Sequence, residues 1–250
     1  MKDRQSFQEK EYEFPYHYLP EIDNQNWHLG KWWFNGLEYL GVLTYVKNII
    51  NNLNPKNVLD FGCGDGRLIL EMKKNGIQKI TGIDISEQAL NYAKAFNQSS
   101  NENVNLVSDF NEIKNVKFDL IVAMEVLEHI EEKQLPKIIH SLAEILEDEG
   151  KFLITVPTLN KKPIPEKHYR HYNLDILNIH VSPHFKIDEV KYIIKIGFLQ
   201  KLIRRLMINR FFILNWKPLN SLLRKIYEKF VLSAEEKTGA NLVAILSKNK

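Results

Sequence analysis

Two groups of residues in this chain have the types and spacing to do chemistry. The first lies in Val58-Leu-Asp-Phe-Gly-Cys-Gly-Asp-Gly-Arg-Leu68, where Gly62, Gly64 and Gly66 alternate behind an acid, Asp60. Glycine tolerates positive φ and carries no Cβ, so this turn lets a ligand lie against bare peptide N–H groups at a helix N-terminus. The spacing is G-x-G-x-G, not the G-x-G-x-x-G of dinucleotide-binding turns. A second acid, Asp84, closes the next apolar run, Ile80-Thr-Gly-Ile-Asp84. A carboxylate offers acceptors only and can take two hydroxyl protons at once, as a ribose requires. The turn and its two acids suit a ligand that carries a positive charge as well as a ribose. A glycine-rich turn shaped only for strand-to-helix packing is the plainer alternative.

The second group is Glu125-Val-Leu-Glu-His129, which leads out of an apolar run. On a helix the spacings i, i+3 and i+4 put Glu125, Glu128 and His129 on one face. Carboxylate oxygens and an imidazole nitrogen there could hold Mg, Mn or Zn, with a fourth ligand from His168 in Lys167-His-Tyr-Arg-His-Tyr-Asn173. The same residues could instead move a proton. An ordinary imidazole titrates near ~6.5, so His129 is the best placed base for a hydroxyl, with His168 or His171 in reserve. An acidic helix start that complements the macrodipole is the structural alternative.

These groups need a frame, and the chain supplies alternating strand and helix signals as a parallel sheet with right-handed crossovers demands. Strands are expected at about 57–61, 79–84, 104–108, 118–123 and 151–156, with helices between them. An amphipathic helix precedes them over 32–53, with Leu37, Leu40, Leu43, Val46 and Ile50 at helical spacing. Ser86 can cap the helix bearing Ala89, Leu90 and Ala93. Another helix carries the stripe Leu135, Ile138, Ile139, Leu142, Ile145 and Leu146, with Pro136 in its first turn and Gly150 just past its end. Further on, a helix is expected near 174–179, a strand near 185–194 and a closing strand over 239–247. Strands in such sheets point their C-terminal ends at the ligand crevice, so Glu125 to His129 would lie beside the glycine turn if their strands are neighbours.

The turn and its acids resemble the class I S-adenosylmethionine-dependent methyltransferases, whose first motif reads much like VLDFGCGDG. That resemblance implies an α/β fold: a seven-stranded, mostly parallel Rossmann-like sheet with helices on both faces and an antiparallel closing strand. It implies S-adenosyl-L-methionine as cofactor, with the methionine part at Asp60, Gly62, Gly64 and Gly66 and the ribose hydroxyls on Asp84. Asp109 would accept from the adenine amino group, Ile85 and Phe110 would stack on the adenine, and Met124 would touch the cofactor. The string EVLEHI is similar to that of the ubiquinone-pathway O-methyltransferases. It is also similar to the small-RNA terminal ribose 2'-O-methyltransferases, in which E-x-x-E-H and a downstream His bind a metal that activates a hydroxyl. The expectation is O-methylation of a small-molecule, lipid-precursor or sugar hydroxyl, with His129 and Glu125 catalytic and Glu125, Glu128, His129 and His168 as ligands for Mg or Mn. Terminal ribose methylation of RNA is the alternative within the enzymes. A non-catalytic cofactor-binding adaptor is the alternative outside them.

Composition bounds the rest. A chain of 250 residues, 44% hydrophobic, can bury one α/β core with additions. The division expected is an N-terminal aromatic lid over 1–30, in which the resemblance makes Tyr16 and Tyr18 candidates to cover the cofactor or acceptor, with plain packing of the aromatics on the body as the alternative. The methyltransferase domain follows over 31–250, with a basic helical insertion at about 195–235. A net charge of +3 is too mild to argue nucleic acid by itself. The single cysteine, Cys63, allows no intrachain disulfide, and the charged N-terminus lacks an apolar h-region. A cytoplasmic protein is expected, possibly peripheral to the inner face of a membrane. For the basic, apolar stretch 195–232 three uses compete: a solvated helical cap, a membrane-surface helix for a lipid-linked acceptor, and a phosphate-contacting face for RNA.

Overall fold

The inner parallel strands grow from apolar runs of five to seven residues, Asn57–Phe61, Lys79–Ile83 and Phe118–Met124, whose middle residues are buried, as crossover helices on both faces require. The computed structural model describes residues 21–23, 26–28, 36–97, 104–209, 211–212, 214 and 216–249. Strands β1 (Glu21–Asp23) and β2 (Asn26–His28) pair as an antiparallel ribbon. Then follow α1 (Gly36–Leu53), β3 (Asn57–Phe61), α2 (Arg67–Lys74), β4 (Lys79–Ile83), α3 (Glu87–Asn97) and β5 (Val104–Val107). The chain continues through β6 (Phe118–Met124), α4 (Leu135–Ile145), β7 (Leu146–Pro157), α5 (Leu174–Val181) and β8 (Phe185–Lys195). It closes with α6 (Phe198–Met207), α7 (Lys217–Phe230), β9 (Ser233–Ala234) and β10 (Gly239–Lys248). The rest of the expected lid over 1–30, including Tyr16 and Tyr18, lies outside the described residues.

The main sheet runs β5-β4-β3-β6-β7-β10-β8-β9. Pairing is parallel from β5 to β7 and antiparallel from β7 through β10 and β8 to β9. The chain leaves β3 towards β4 and β5, then returns to lay β6 on the other side of β3. That reversal opens a crevice at the C-terminal ends of β3 and β6, where ligands bind in open α/β sheets. The glycine turn leaves β3 there, and Glu125 follows β6.

Period-two alternation sorts the core onto two faces. Val58, Leu120 and Val122 join α1 on one face, with Ile203 of α6 and Leu223 and Tyr227 of α7. Leu59, Ile121 and Ala123 join α4 and α5 on the other. The basic insertion is therefore two helices laid on the α1 side of the sheet.

Three expectations need correction. Among the described residues the main sheet has eight strands instead of seven, because Ser233–Ala234 adds a short edge beside β8. The strand expected at 151–156 begins at Leu146, so the preceding helix stops at Ile145 and Gly150 lies inside a strand. Leu146 pairs with Phe118 of β6 and is fully buried there, so tertiary pairing overrides the helical stripe. Finally, Glu125 to His129 is not a continuous helical face. Glu125 has φ +58, and only Leu127–His129 turns, as a single 3-10 turn.

Candidate functional site

The turn after β3 is fixed by its own neighbours. Gly62, Gly64 and Gly66 all have positive φ, which any side chain would resist. The amides of Gly62 and Cys63 donate to the Ile83 carbonyl (2.8 and 3.0 Å), and Gly66 N donates to Cys63 O (2.9 Å). Gly64 N donates to Asp84 Oδ2 at 2.8 Å. These amides are therefore used inside the protein, and the expected row of bare N–H groups is not what the turn presents. The glycines instead bring chain close to chain: a Cβ on Gly62 would stand 2.5 Å from Val126 Cγ2. This contact ties the glycine turn to the segment carrying Glu128 and His129. Cys63 is buried, and burial beside Asp60 and Asp84 pushes its thiol well up, so it is inert packing.

Asp84 is oriented from both sides. Besides Gly64 N at Oδ2, its Oδ1 accepts from Ser86 N at 2.9 Å. Those two bonds fix how the carboxylate stands at the end of β4. Ser86 Oγ in turn caps α3 by accepting from Ala89 N at 3.1 Å, as its position in the sequence predicts. Asp60 lies fully buried on β3, and its Oδ2 has no hydrogen-bond partner among the described residues. Burial, then the charges of Asp84 and Asp65, push its carboxyl up to about 8. An acid held this way gains from a cation placed against it.

Asp109 follows β5 and is exposed. Its Oδ1 accepts from Asn111 N and Asn111 Nδ2 (2.9 and 3.0 Å), closing a capping box with Glu112. Those bonds hold its carboxyl below the usual range. Ile85 stands 69% exposed and Phe110 is half-buried against the α4 side of the core. Met124, half-buried, ends β6 opposite Thr155 of β7.

The acidic and histidine residues divide into two subsites. Glu125 is clamped: its amide donates to Thr155 O and Oγ1 (3.0 and 3.1 Å). Its Oε1 accepts from Thr155 Oγ1 at 2.9 Å and its Oε2 from Asn241 Nδ2 at 2.8 Å. Burial raises its pKa, against the opposing pull of Lys161, Thr155 and Asn241. Glu128 is only 1% exposed, and neither of its oxygens is hydrogen-bonded to another described residue. Burial first, and the Glu125 charge second, raise its carboxyl well above the ordinary value.

His129 Nε2 lies 3.9 Å from Glu128 Oε1, while its Nδ1 is 3.2 Å from the Lys167 carbonyl. A carbonyl only accepts, so the proton of a neutral ring sits on Nδ1 and the lone pair on Nε2 faces Glu128. His168 packs edge-on to His129 with ring centres 4.7 Å apart, and its Nδ1 is 3.0 Å from His171 Nε2. Burial first, then the neighbouring imidazoles and lysines, drive its pKa down to about 2, so the ring is neutral. One ligand atom each from Glu128, His129 and His168 lie within 4.8 Å of one another. Glu125, expected among the ligands, stands outside this trio.

The loop 158–172 carries His168 to this place because it is pinned along the 3-10 turn. Tyr169 N donates to Glu128 O at 2.7 Å, and Arg170 Nη1 donates to Leu127 O at 2.9 Å. Tyr172, fully buried, donates through its hydroxyl to Leu127 O at 3.3 Å. Sequence reasoning missed Thr155, Asn241 and Lys161. Asn241 left a signal, as the one amide side chain in the apolar run Ala240-Asn-Leu-Val-Ala-Ile-Leu246. Thr155 left none, since threonine is an ordinary strand former.

A β3–β6 switch point, a glycine turn and an acid ending the second parallel strand define the class I methyltransferase architecture. A family model described as a methyltransferase domain matches residues 41–188, and the chain belongs to that family. It is a domain of the class I, S-adenosylmethionine-dependent kind. The chain is 32% identical over 125 residues to the ubiquinone biosynthesis O-methyltransferase of Pseudoalteromonas translucida, a match covering 48% of this chain and 51% of that protein. The chain thus spans about half the length of the curated relatives it matches. Among solved structures it is similar to the PH0226 protein from Pyrococcus horikoshii, with TM-score 0.60 and 15% identity over 96% of this chain and 99% of that one. A S-adenosylmethionine-dependent methyltransferase from Clostridium acetobutylicum aligns with TM-score 0.57 and 13% identity, over 85% and 92% of the two chains.

Proposed function

We propose that this protein transfers the methyl group of S-adenosylmethionine to a hydroxyl oxygen, with His129 as the base. The observation that carries the reading is Glu128: a buried carboxyl group with no hydrogen bond to its oxygens among the described residues, 3.9 Å from His129 Nε2. In the reaction the hydroxyl oxygen attacks the methyl carbon in line. The O–C bond forms as the C–S bond breaks, the electron pair stays on sulfur, and the hydroxyl proton passes to His129 Nε2. Lys167 O, bonded to Nδ1, holds the tautomer this needs and stabilises the ring once it is protonated. Glu128 faces the cation so formed.

Asp84 would take the ribose hydroxyls and Asp109 the adenine amino group, with Ile85 and Phe110 flanking the base and Met124 at the crevice floor. Asp60 would lie towards the positive end of the cofactor. The clamp on Glu125 suits it to shaping the acceptor side rather than to moving protons.

The trio Glu128, His129 and His168 also fits a divalent ion, since the Glu128 oxygens have no hydrogen-bond partner among the described residues and one ligand atom from each of the three lies within 4.8 Å of the others. One carboxylate and two imidazoles suit Mn better than Mg. Such an ion, when bound, would lower the pKa of a hydroxyl acceptor. Manganese titration of the protein, followed by the electron paramagnetic resonance of free Mn, tests this apart from activity.

The relatives named for ubiquinone biosynthesis favour a lipid-precursor hydroxyl as acceptor, and a membrane surface reached through 195–232 would supply one. No described helix is long and apolar enough to cross a membrane. The terminal ribose of an RNA is a second reading, favoured by His168 joining Glu128 and His129. Replacing His129 by Ala is expected to lower turnover by roughly 10²–10⁴-fold while leaving S-adenosylhomocysteine affinity intact. Equal loss of both would assign His129 to cofactor binding instead.

A further inference from the structure

The hairpin between α6 and α7 is built from outside in the wrong residues for a solvated cap. Phe211 is 90% exposed and Phe198 80%, with Phe212, Trp216 and Leu206 also exposed. The turn that holds the two phenylalanines outward is ordered by Asn209. Its Oδ1 accepts from Phe211 N and Phe212 N (2.8 and 3.2 Å), and its Nδ2 donates to Arg205 O at 3.1 Å. Asn209 N donates to Phe212 O (3.0 Å) and Leu214 N to Met207 O (2.8 Å), closing the hairpin. Ile203, Leu223 and Tyr227 anchor it in the core. The turn's own hydrogen bonds therefore hold the two phenylalanines outward, and an exposed apolar patch of this kind marks an interaction surface.

Charge identifies the partner. Residues 195–230 carry nine Lys or Arg against one acid, Glu228, a net of +8 in a chain whose total is +3. Lys201 and Arg205 are exposed on α6 beside the apolar flank formed by Leu199, Leu202 and Leu206. Aromatic side chains rimmed by cations match the interfacial zone of an anionic bilayer, in which the rings enter the headgroup boundary and the cations meet the lipid phosphates.

The foot of the same hairpin reaches the acceptor loop. Gln200, buried on α6, donates through Nε2 to Glu38 Oε1 at 2.6 Å, and Glu38 Oε2 pairs with Lys161 Nζ at 3.3 Å. Lys161 belongs to the loop that carries His168. We propose that the α6–α7 hairpin is a membrane-docking wedge for anionic bilayers, with Phe211 and Phe212 inserting and Gln200–Glu38–Lys161 joining the docked helix to the acceptor side of the site. Its purpose, delivery of a lipid-borne hydroxyl, rests on the O-methyl transfer reading; the surface itself does not.

The test is flotation of the full chain with phosphatidylcholine vesicles, with and without phosphatidylglycerol, beside the variants F211S/F212S and K201E/R205E. Phosphatidylglycerol should raise the bound fraction, and each double variant should lower partitioning by about tenfold or more. Unchanged melting temperature and S-adenosylhomocysteine binding will show that the variants fold. Absence of binding to anionic vesicles at low salt overturns the proposal. So does binding that survives F211S/F212S, or displacement of the vesicles by a single-stranded RNA oligonucleotide that F211S/F212S binds equally well. Turnover on a water-soluble phenol is measured separately: F211S/F212S should leave it unchanged, and its absence in the unaltered protein would count against the O-transfer reading while leaving the wedge standing.

Discussion

Replacing Asp60 by Asn should stabilise the cofactor-free protein by an amount that grows with pH. The native carboxyl is pushed up to about 8 by burial and by two neighbouring acids, whereas in the unfolded chain it returns to about 3.9. Below about pH 4 both states hold the proton and Asp60 contributes no pH dependence. Between about 4 and 8 the unfolded state has lost the proton and the folded state keeps it, so stability falls by up to about 1.4 kcal/mol per pH unit. Above about 8 both are ionised and the penalty is constant. The whole window amounts to at most about 6 kcal/mol; local relaxation and water entry reduce it, so growth of about 2–5 kcal/mol is expected. Asn does not titrate, and any fixed cost of its amide shifts the difference without giving it a slope. Urea unfolding of both proteins from about pH 5 to 8.5, followed by tryptophan fluorescence, reads that slope directly. A difference that stays flat across this range would refute the buried, protonated Asp60.

The other predictions concern the turn and the clamp around Glu125. Gly62→Ala should cost about 2 kcal/mol or more in urea unfolding, since φ is +74 and the new Cβ would stand 2.5 Å from Val126. It should also weaken S-adenosylhomocysteine binding, because Gly62 stands in the turn that would meet the methionine part of the cofactor. Asn241→Ala removes the donor to Glu125 Oε2 and should destabilise by about 1–3 kcal/mol, more at pH 8 than at pH 5, because the orphaned carboxylate is harder to ionise. A pH-independent loss would show that Asn241 serves packing alone.

Local chemistry was legible in the sequence wherever it is self-contained. Gly62, Gly64 and Gly66 sit at positive φ as their spacing predicts, Ser86 caps α3, and the alternation of strand and helix gives the parallel half of the sheet. What the sequence hid depends on partners far along the chain. The amides expected to face a ligand are taken by Ile83 and Asp84, which arrive from the next strand. Glu125 leaves the expected helical face because Thr155 and Asn241, from β7 and β10, hold its carboxylate. Helical periodicity ran on past Ile145, yet Leu146 pairs with β6. The cluster of Glu128, His129 and His168 was legible as a set, since short polar strings joined by one loop can converge once that loop is pinned, as Tyr169 and Arg170 pin it here.

Asp84, oriented by Gly64 and Ser86, is proposed to grip the ribose of an adenosyl ligand. Calorimetric titration with S-adenosylhomocysteine of the protein and of Asp84→Asn tests it most directly. Saturable one-to-one binding is expected, weakened by the substitution by roughly 10–100-fold through the loss of charged hydrogen bonds to hydroxyls. No heat with the unaltered protein, or equal affinity in Asp84→Asn, would contradict it.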